Sequence, residues 1–310
     1  MMASMDLATV FPAADLAVAA VITVLFCALF AAAEAWWRAL QPPVEYTRKS
    51  VHVGCGLIAA PLPWLIDSPW TMLLLGSAFV GIVAFTRRMG WLPCLHAVER
   101  CSHGATLYPA SIFLTYLLAL HTGRPELYCA AVLVLAVSDA AASLIGIRFG
   151  RHRLQVEGDV KSIEGCIAFF ATAHVIVFSA LALLTDLPLA VCLLSATYAA
   201  GLGACIELVS RSGTDNLFIP LAVFGILLKV TTERPDEIFW QLGLLALDLA
   251  LVTVLLRRQK ILDAGGIITL GLVTYAAHAV LGSLGAYVVL VAIAGMLAHA
   301  FRTDHAQLVH

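Results

Sequence analysis

Charge is scarce in this chain. Of 310 residues, 12% are Asp, Glu, Lys or Arg and 61% are hydrophobic, whereas a soluble domain carries about 25% charge and about 45–50% apolar residues. So few ionised groups cannot cover a water-facing surface of this size, which excludes an ordinary soluble globular protein. An excess of one sign is missing too. A net charge of −2 gives no reason to expect a nucleic-acid partner. The eight cysteines are scattered, mostly in apolar runs where a free thiol acts as a small hydrophobe, so no disulfide framework is implied. The apolar runs are long and lack period-two alternation, which argues against a β-barrel. No cleavable leader followed by a soluble domain is evident, and the first apolar segment reads as a retained helix.

What is present is a series of apolar windows of transmembrane length. They fall at 16–36, 50–66, 70–86, 106–121, 127–147, 163–184, 188–209, 217–230, 238–256, 263–281 and 284–301. The windows at 50–66 and 217–230 are short or interrupted. The fold class is therefore all-α: a polytopic integral membrane protein with about nine to eleven transmembrane helices.

Lys and Arg placement predicts the orientation. The first 37 residues contain neither. With eleven spans, 3 of the chain's 18 Lys and Arg residues (Arg124, Lys229 and Arg234) follow even-numbered spans, and the other 15 follow odd-numbered spans or lie at the C-terminus. The N-terminus is expected outside and every odd loop in the cytoplasm, where nucleotides are found.

The segment from Ser138 to Gly165 carries an unusual density of charge for a connection between apolar runs: Asp139, Arg148, Arg151, His152, Arg153, Glu157, Asp159, Lys161 and Glu164. A positive-inside loop with capping acids explains the arginines. It does not explain Asp139, which lies inside a span where a charge is costly. On a helix, Ala142, Ser143 and Gly146 share the face of Asp139, leaving it open. Gly150 begins a flexible turn with Arg151, His152 and Arg153, and Ser162 is placed to cap the next helix, whose N-terminus attracts phosphate. This pattern suggests a Mg²⁺–triphosphate site, with Asp139 and Glu164 on the metal and Lys161, Arg151 and Arg153 on phosphate oxygens.

Two further segments share the predicted cytoplasmic side. Arg48, Lys49 and His52 lie within one turn at the start of the second span. An interfacial anchor would account for the first two but gives His52 no task. Glu207 lies near the end of the seventh span, followed by Arg211 and by Asp215-Asn216-Leu217 ahead of Pro220. A turn with an Asp N-cap is the plainer reading of that loop taken alone. Cys94, His96, Cys101 and His103 have ligand chemistry but not the spacing of common zinc sites, and read better as a solvated loop. Glu34, His174, Asp248 and His278 are isolated polar residues in spans, read as polar contacts between helices, with Asp248 able to pair with His278.

Four motifs, in order and spacing over roughly residues 30–230, resemble the CTP-dependent polyprenol kinase family. That family comprises phytol, farnesol and dolichol kinases and the CTP-using diacylglycerol kinase, within the broader group of membrane cytidylyltransferases. The motifs are Arg48-Lys49-x-x-His52; Ser138-Asp139 with Ala142, Gly146, Phe149 and Gly150; Lys161-Ser162-x-Glu164-Gly165; and Glu207 with Asp215-Asn216-Leu217 and Pro220. The resemblance implies that CTP, with Mg²⁺, phosphorylates the hydroxyl of an isoprenoid lipid alcohol at the cytoplasmic face of the bilayer. It implies catalytic roles for Asp139, Lys161, Glu164 and Asp215, and nucleotide contacts from Arg48, Lys49, His52, Ser138, Gly146, Gly150, Arg151, His152, Arg153, Ser162 and Asn216. Asp139, Glu164, Glu207 and Asp215 would hold the metal. Residues 1–235 would form the kinase-like domain. Residues 236–310, including Asp263-Ala-Gly265-Gly266, would be additional helices.

The cytidylyltransferases carry a Lys-Asp pair and a His-Gly-Gly near the C-terminus. Neither is found here, which favours a kinase over CTP:phosphatidate cytidylyltransferase-like chemistry; diacylglycerol kinase activity is a further alternative. A transporter built on broken helices is the rival from another class, but no repeat relates the two halves and the charge cluster lies at one surface. The alcohol and the oligomeric state are not readable from the sequence.

Overall fold

Proline sets most of the helix starts. A helix N-terminus leaves its first N–H groups without intrahelical partners, so a residue without N–H and with φ already near −65° costs little there. The computed structural model describes residues 10–96, 104–156, 159–210, 212–257 and 269. Pro12 precedes α1 (Ala13–Leu40), Pro43 precedes α2 (Val44–Ala59), and Pro69 opens α3 (Pro69–Arg88) behind Ser68, whose hydroxyl accepts from Thr71 N. A short turn, α4 (Pro93–His96), precedes α5 (Gly104–Thr122). Gly123, with φ +66°, breaks the chain before α6 (Pro125–Leu133). A π turn (Val134–Ser138) leads directly into α7 (Asp139–Phe149).

Beyond Gly150 the chain forms two short paired strands, β1 (Arg153–Val156) and β2 (Asp159–Ser162). The sequence reading expects only a flexible turn there. The difference has a physical cause: in the sequence Leu154, Val156 and Val160 alternate with polar residues, a strand pattern too short to stand out between membrane spans. Then come α8 (Ile163–Leu184), α9 (Leu189–Val209), α10 (Asp215–Val230) and α11 (Pro235–Arg257).

The protein is an all-α polytopic membrane protein. Among the described residues, five helical segments are long and apolar enough to cross a bilayer: Ala13–Leu40, Pro69–Arg88, Pro125–Phe149, Ile163–Leu184 and Leu189–Val209. The window at 50–66 is not one helix. α2 starts earlier, after Pro43, and stops at Ala59 because Pro61 and Pro63 remove backbone donors; a 3₁₀ turn (Leu62–Trp64) follows. The windows at 263–281 and 284–301 lie outside the described residues.

The chain divides into two compact units. The first comprises Met1–Leu154 and Asp159–Ile238, the second Gln155–Gly158 and Phe239–His310. Within the first, the segment from α6 through the π turn is central: Leu127, Tyr128, Ala130, Ala131, Val134, Leu135 and Ala136 are all fully buried. α2, α8 and α10 pack around it. Asp139 is therefore presented from the middle of the bundle rather than from its lipid-facing rim.

Candidate active site

The π turn ends at the residue that matters most. One extra residue per turn re-aims the side chains that follow it, and such turns recur at functional sites. Here Ser138 and Asp139 emerge at its C-terminal end, both buried. Lys49 from α2 donates to Asp139 Oδ2 at 2.7 Å, with side-chain exposures of 7% and 5%. His52, one turn further along α2, places Nε2 3.3 Å from the same oxygen and 3.3 Å from the Leu135 carbonyl. The His52 ring packs against Tyr108 of α5, with centroids 4.6 Å apart.

A second pair faces the first. Lys161, at the end of β2, donates to Glu207 Oε1 of α9 at 2.6 Å. Asp215, the first residue of α10, completes the group. One carboxylate oxygen from each of Asp139, Glu207 and Asp215 lies within 4.8 Å of the other two. Asp215 Oδ1 also accepts from the Asn216 backbone N–H at 2.9 Å. Burial, and then the Asp139 carboxylate, push the Asp215 carboxyl above its ordinary value. Burial alone would lower the Lys161 ammonium, but the Glu207 carboxylate beside it holds it above its ordinary value.

Three carboxylates against two ammonium groups leave an excess of one formal negative charge when all are ionised. Among the described residues, Glu207 Oε2 is also buried without a hydrogen-bond partner. An orphaned buried carboxylate oxygen is costly. All-oxygen donors, surplus negative charge and an unsatisfied oxygen fit a hard divalent cation such as Mg²⁺.

The remaining residues singled out from sequence divide into four groups. Arg48 is held by Glu45 through Nη2–Oε1 at 2.6 Å and Nε–Oε2 at 2.9 Å, and Ser143 of α7 donates to the same Glu45 at 2.9 Å. Glu45 was not singled out in the sequence, because an acidic residue in the first turn of a helix reads as ordinary dipole compensation.

Glu164 does not join the three carboxylates. It turns to the hairpin, accepting from the His152 backbone and pairing with His152 Nδ1 at 2.8 Å. Arg151 and Arg153 beside it are exposed.

Gly146, Gly150 and Ser162 form a packing seam. A Cβ at Gly146 would sit 2.9 Å from Ser162 Oγ, and one at Gly150 would sit 2.3 Å from the Gly146 carbonyl. Ser162 caps α8 by accepting from Gly165 N at 3.1 Å. Glycine here lets α7, the hairpin and α8 approach, which brings Lys161 inward.

Two of the isolated polar residues have local partners. Glu34 pairs with Arg38 at 2.7 Å, and His174 Nδ1 lies 3.5 Å from Thr197 Oγ1. Cys94 is buried, its backbone N–H 3.5 Å from Glu34 Oε2 and its carbonyl accepting from Thr47. Cys101, His103, Arg211 and His278 lie outside the described residues. Asp248 is in α11.

Comparison with known proteins bears on this geometry. Over 179 residues the chain is 35% identical to a phytol kinase of Synechocystis sp., a match covering 58% of this chain and 76% of the relative. The chain belongs to the phytol kinase family. It is accordingly a phosphotransferase with an alcohol acceptor, and a nucleotide is the phosphoryl donor expected of such an enzyme. No family model matches the chain. No solved structure matches it. Phosphoryl transfer calls for a cation site, nearby ammonium groups and a proton acceptor, and the buried cluster contains groups of each kind.

Proposed function

We propose that this protein is a CTP-dependent kinase that phosphorylates the hydroxyl of an isoprenoid alcohol of the phytol, geranylgeraniol or farnesol class, at the cytoplasmic face of its membrane. The convergence of Asp139, Glu207 and Asp215 from three helices, beside Lys49 and Lys161, carries this reading. The relative's name supplies the acceptor class. The lopsided Lys and Arg distribution supports the cytoplasmic side.

Asp139 and Glu207 would hold Mg²⁺, which would supply positive charge to offset that of the phosphates. Lys161 offsets charge on the transferred group, and the exposed Arg151 and Arg153 receive the outer phosphates. Asp215, the third carboxylate, accepts the hydroxyl proton as the alcohol oxygen attacks the terminal phosphorus; a raised carboxyl is better matched to that task than an ordinary one. Lys49 and His52 fix the Asp139 carboxylate. Glu164 positions the hairpin through His152. Such catalysis is positioning and electrostatics rather than covalent chemistry. Residues 1–235 carry the reaction.

The test is direct. Purified protein in lipid nanodiscs is incubated with labelled CTP or ATP, Mg²⁺, and a panel of phytol, geranylgeraniol, farnesol, undecaprenol and diacylglycerol. A phosphorylated isoprenoid alcohol with release of CDP is expected. Pyrophosphate release in the presence of phosphatidate would assign nucleotidyl transfer instead. Asp139→Asn and Lys161→Ala are each expected to abolish turnover while inserting normally, and wild-type rates in either would remove the site.

A further inference from the structure

A narrow apolar cleft lies between α1, α2, α3 and α5. Phe26, Cys55, Met72, Gly76, Phe79 and Tyr108 are among its walls. From the geometry we infer that this cleft seats the isoprenoid chain of the alcohol and sets which chain lengths are accepted. The inference rests on the kinase reading above.

Tyr108 connects the cleft to the reacting end. Its ring lines the apolar space and lies tilted against the His52 ring with centroids 4.6 Å apart, and its hydroxyl donates to the His52 carbonyl at 3.4 Å. His52 in turn lies 3.3 Å from Asp139. An apolar body with a polar tip suits the boundary between a hydrocarbon tail and a hydroxyl. The approach needs Gly56: a Cβ there would fall 2.1 Å from Ala136 Cβ and 3.1 Å from the Tyr108 hydroxyl. From this junction the cleft follows α2 past Cys55 and Ala59 to Leu62, and on α3 it spans Met72 to Phe79, about 10 Å of helix. A chain lying in it would leave its hydroxyl at the Tyr108–His52 end.

The tail gains little hydrophobic energy on entering, because the bilayer it leaves is as apolar as the cleft. The benefit is orientation: a seated tail holds the hydroxyl in line with the phosphates, where small misplacements cost large factors in rate. Selectivity then comes from shape, and a side chain projecting into the cleft should exclude long tails and spare short ones.

Gly76 makes that testable. It lines the cleft, and a Cβ there would meet no heavy atom within 4 Å, so a side chain can start there without a clash at its first carbon. In Gly76→Leu, kcat/KM for phytol is expected to fall about tenfold or more while that for the shorter geraniol and the KM for nucleotide stay within about twofold. Equal losses for both alcohols, or none for either, would overturn the assignment. Wild-type protein is also photolabelled with a diazirine analogue of geranylgeraniol and mapped by peptide. Label on the α2, α3 and α5 walls supports the cleft. Label confined to the surface groove around Ile167 and Phe170 of α8 would move the tail there and refute it. Labelling of the cleft without turnover on any alcohol would defeat the kinase reading and leave the cleft assignment standing.

Discussion

Lys49 donates to Asp139 at 2.7 Å although the two residues are 90 positions apart, and both side chains are almost fully shielded. Neither could be buried ionised without the other. Removing one partner of such a pair strands the second charge, at a cost of about 3–5 kcal/mol, while removing both is far milder. Lys49→Met should therefore lower the thermal unfolding midpoint in detergent well below wild type. Lys49→Met combined with Asp139→Asn should recover much of that loss although it is inactive. Additive losses in this cycle would show that the two side chains are not coupled.

The glycine seam makes a prediction about rank order. A Cβ at Gly165 would sit 2.8 Å from the Ala142 backbone carbonyl, whereas one at Gly146 would meet the Ser162 hydroxyl at 2.9 Å. Backbone cannot rotate away, but a hydroxyl can. Gly165→Ala is expected to cost about 1–3 kcal/mol through overpacking. Gly146→Ala should cost less, near the ~1 kcal/mol of the lost Ser162 cap on α8. Gly81→Ala, where a Cβ meets nothing within 4 Å, serves as the neutral control. Unfolding midpoints of the three variants in one detergent check the order. Equal midpoints for Gly165→Ala and Gly81→Ala would show that the seam tolerates a methyl group.

How much of this was legible in the sequence depended on how each residue stood out. Asp139 and Glu207 were visible because a carboxylate in an apolar run is costly and therefore rare. Gly146 and Gly150 were visible too, but their use was not: the resemblance implies nucleotide contact, and the structure uses the missing Cβ atoms for packing against Ser162. The π turn ahead of Asp139 has no local signature, because Val134–Ser138 reads as continuous helix and only packing forces the extra residue. Glu164 was expected beside Asp139 on chemistry alone. Its place was decided by the hairpin, which presents His152 to it. Pairings such as Lys49–Asp139 and Lys161–Glu207 depend on which helices become neighbours, and no spacing within one segment carries that information.

Metal binding should be linked to pH with a definite sign. Burial and the Asp139 carboxylate raise the Asp215 carboxyl above its ordinary value, so without metal it keeps its proton to higher pH than a free Asp does. Mg²⁺ on the neighbouring Asp139 and Glu207 carboxylates favours the ionised form of Asp215 and drives off that proton. Affinity for Mg²⁺ is therefore expected to rise with pH across the range just above the ordinary carboxylate value, with proton uptake by the buffer during calorimetric titration. Asp215→Asn should weaken binding and flatten the dependence. A pH-independent Mg²⁺ affinity in wild-type protein would separate Asp215 from the cation site.

Glu45 offers a test of whether Arg48 serves the nucleotide or merely anchors a helix. Glu45 grips Arg48 through two bonds and accepts a third from Ser143 of α7, which ties the orientation of a cation on α2 to the helix that begins with Asp139. Charge-assisted bonds of this kind are worth about 1.5–3 kcal/mol when shielded. Here the side chains are 25% and 40% exposed, so the low end applies. If Arg48 contacts nucleotide, Glu45→Gln should raise the KM for CTP by about tenfold, corresponding to ~1.4 kcal/mol, with the KM for the alcohol unchanged. Glu45→Asp should restore part of the loss, and Ser143→Ala should act in the same direction but less strongly. If Arg48 is only an interfacial anchor, the same substitutions will shift the unfolding midpoint and leave both Michaelis constants where they were. Steady-state kinetics with CTP varied at saturating alcohol, set beside thermal unfolding of the same preparations, decides between the two.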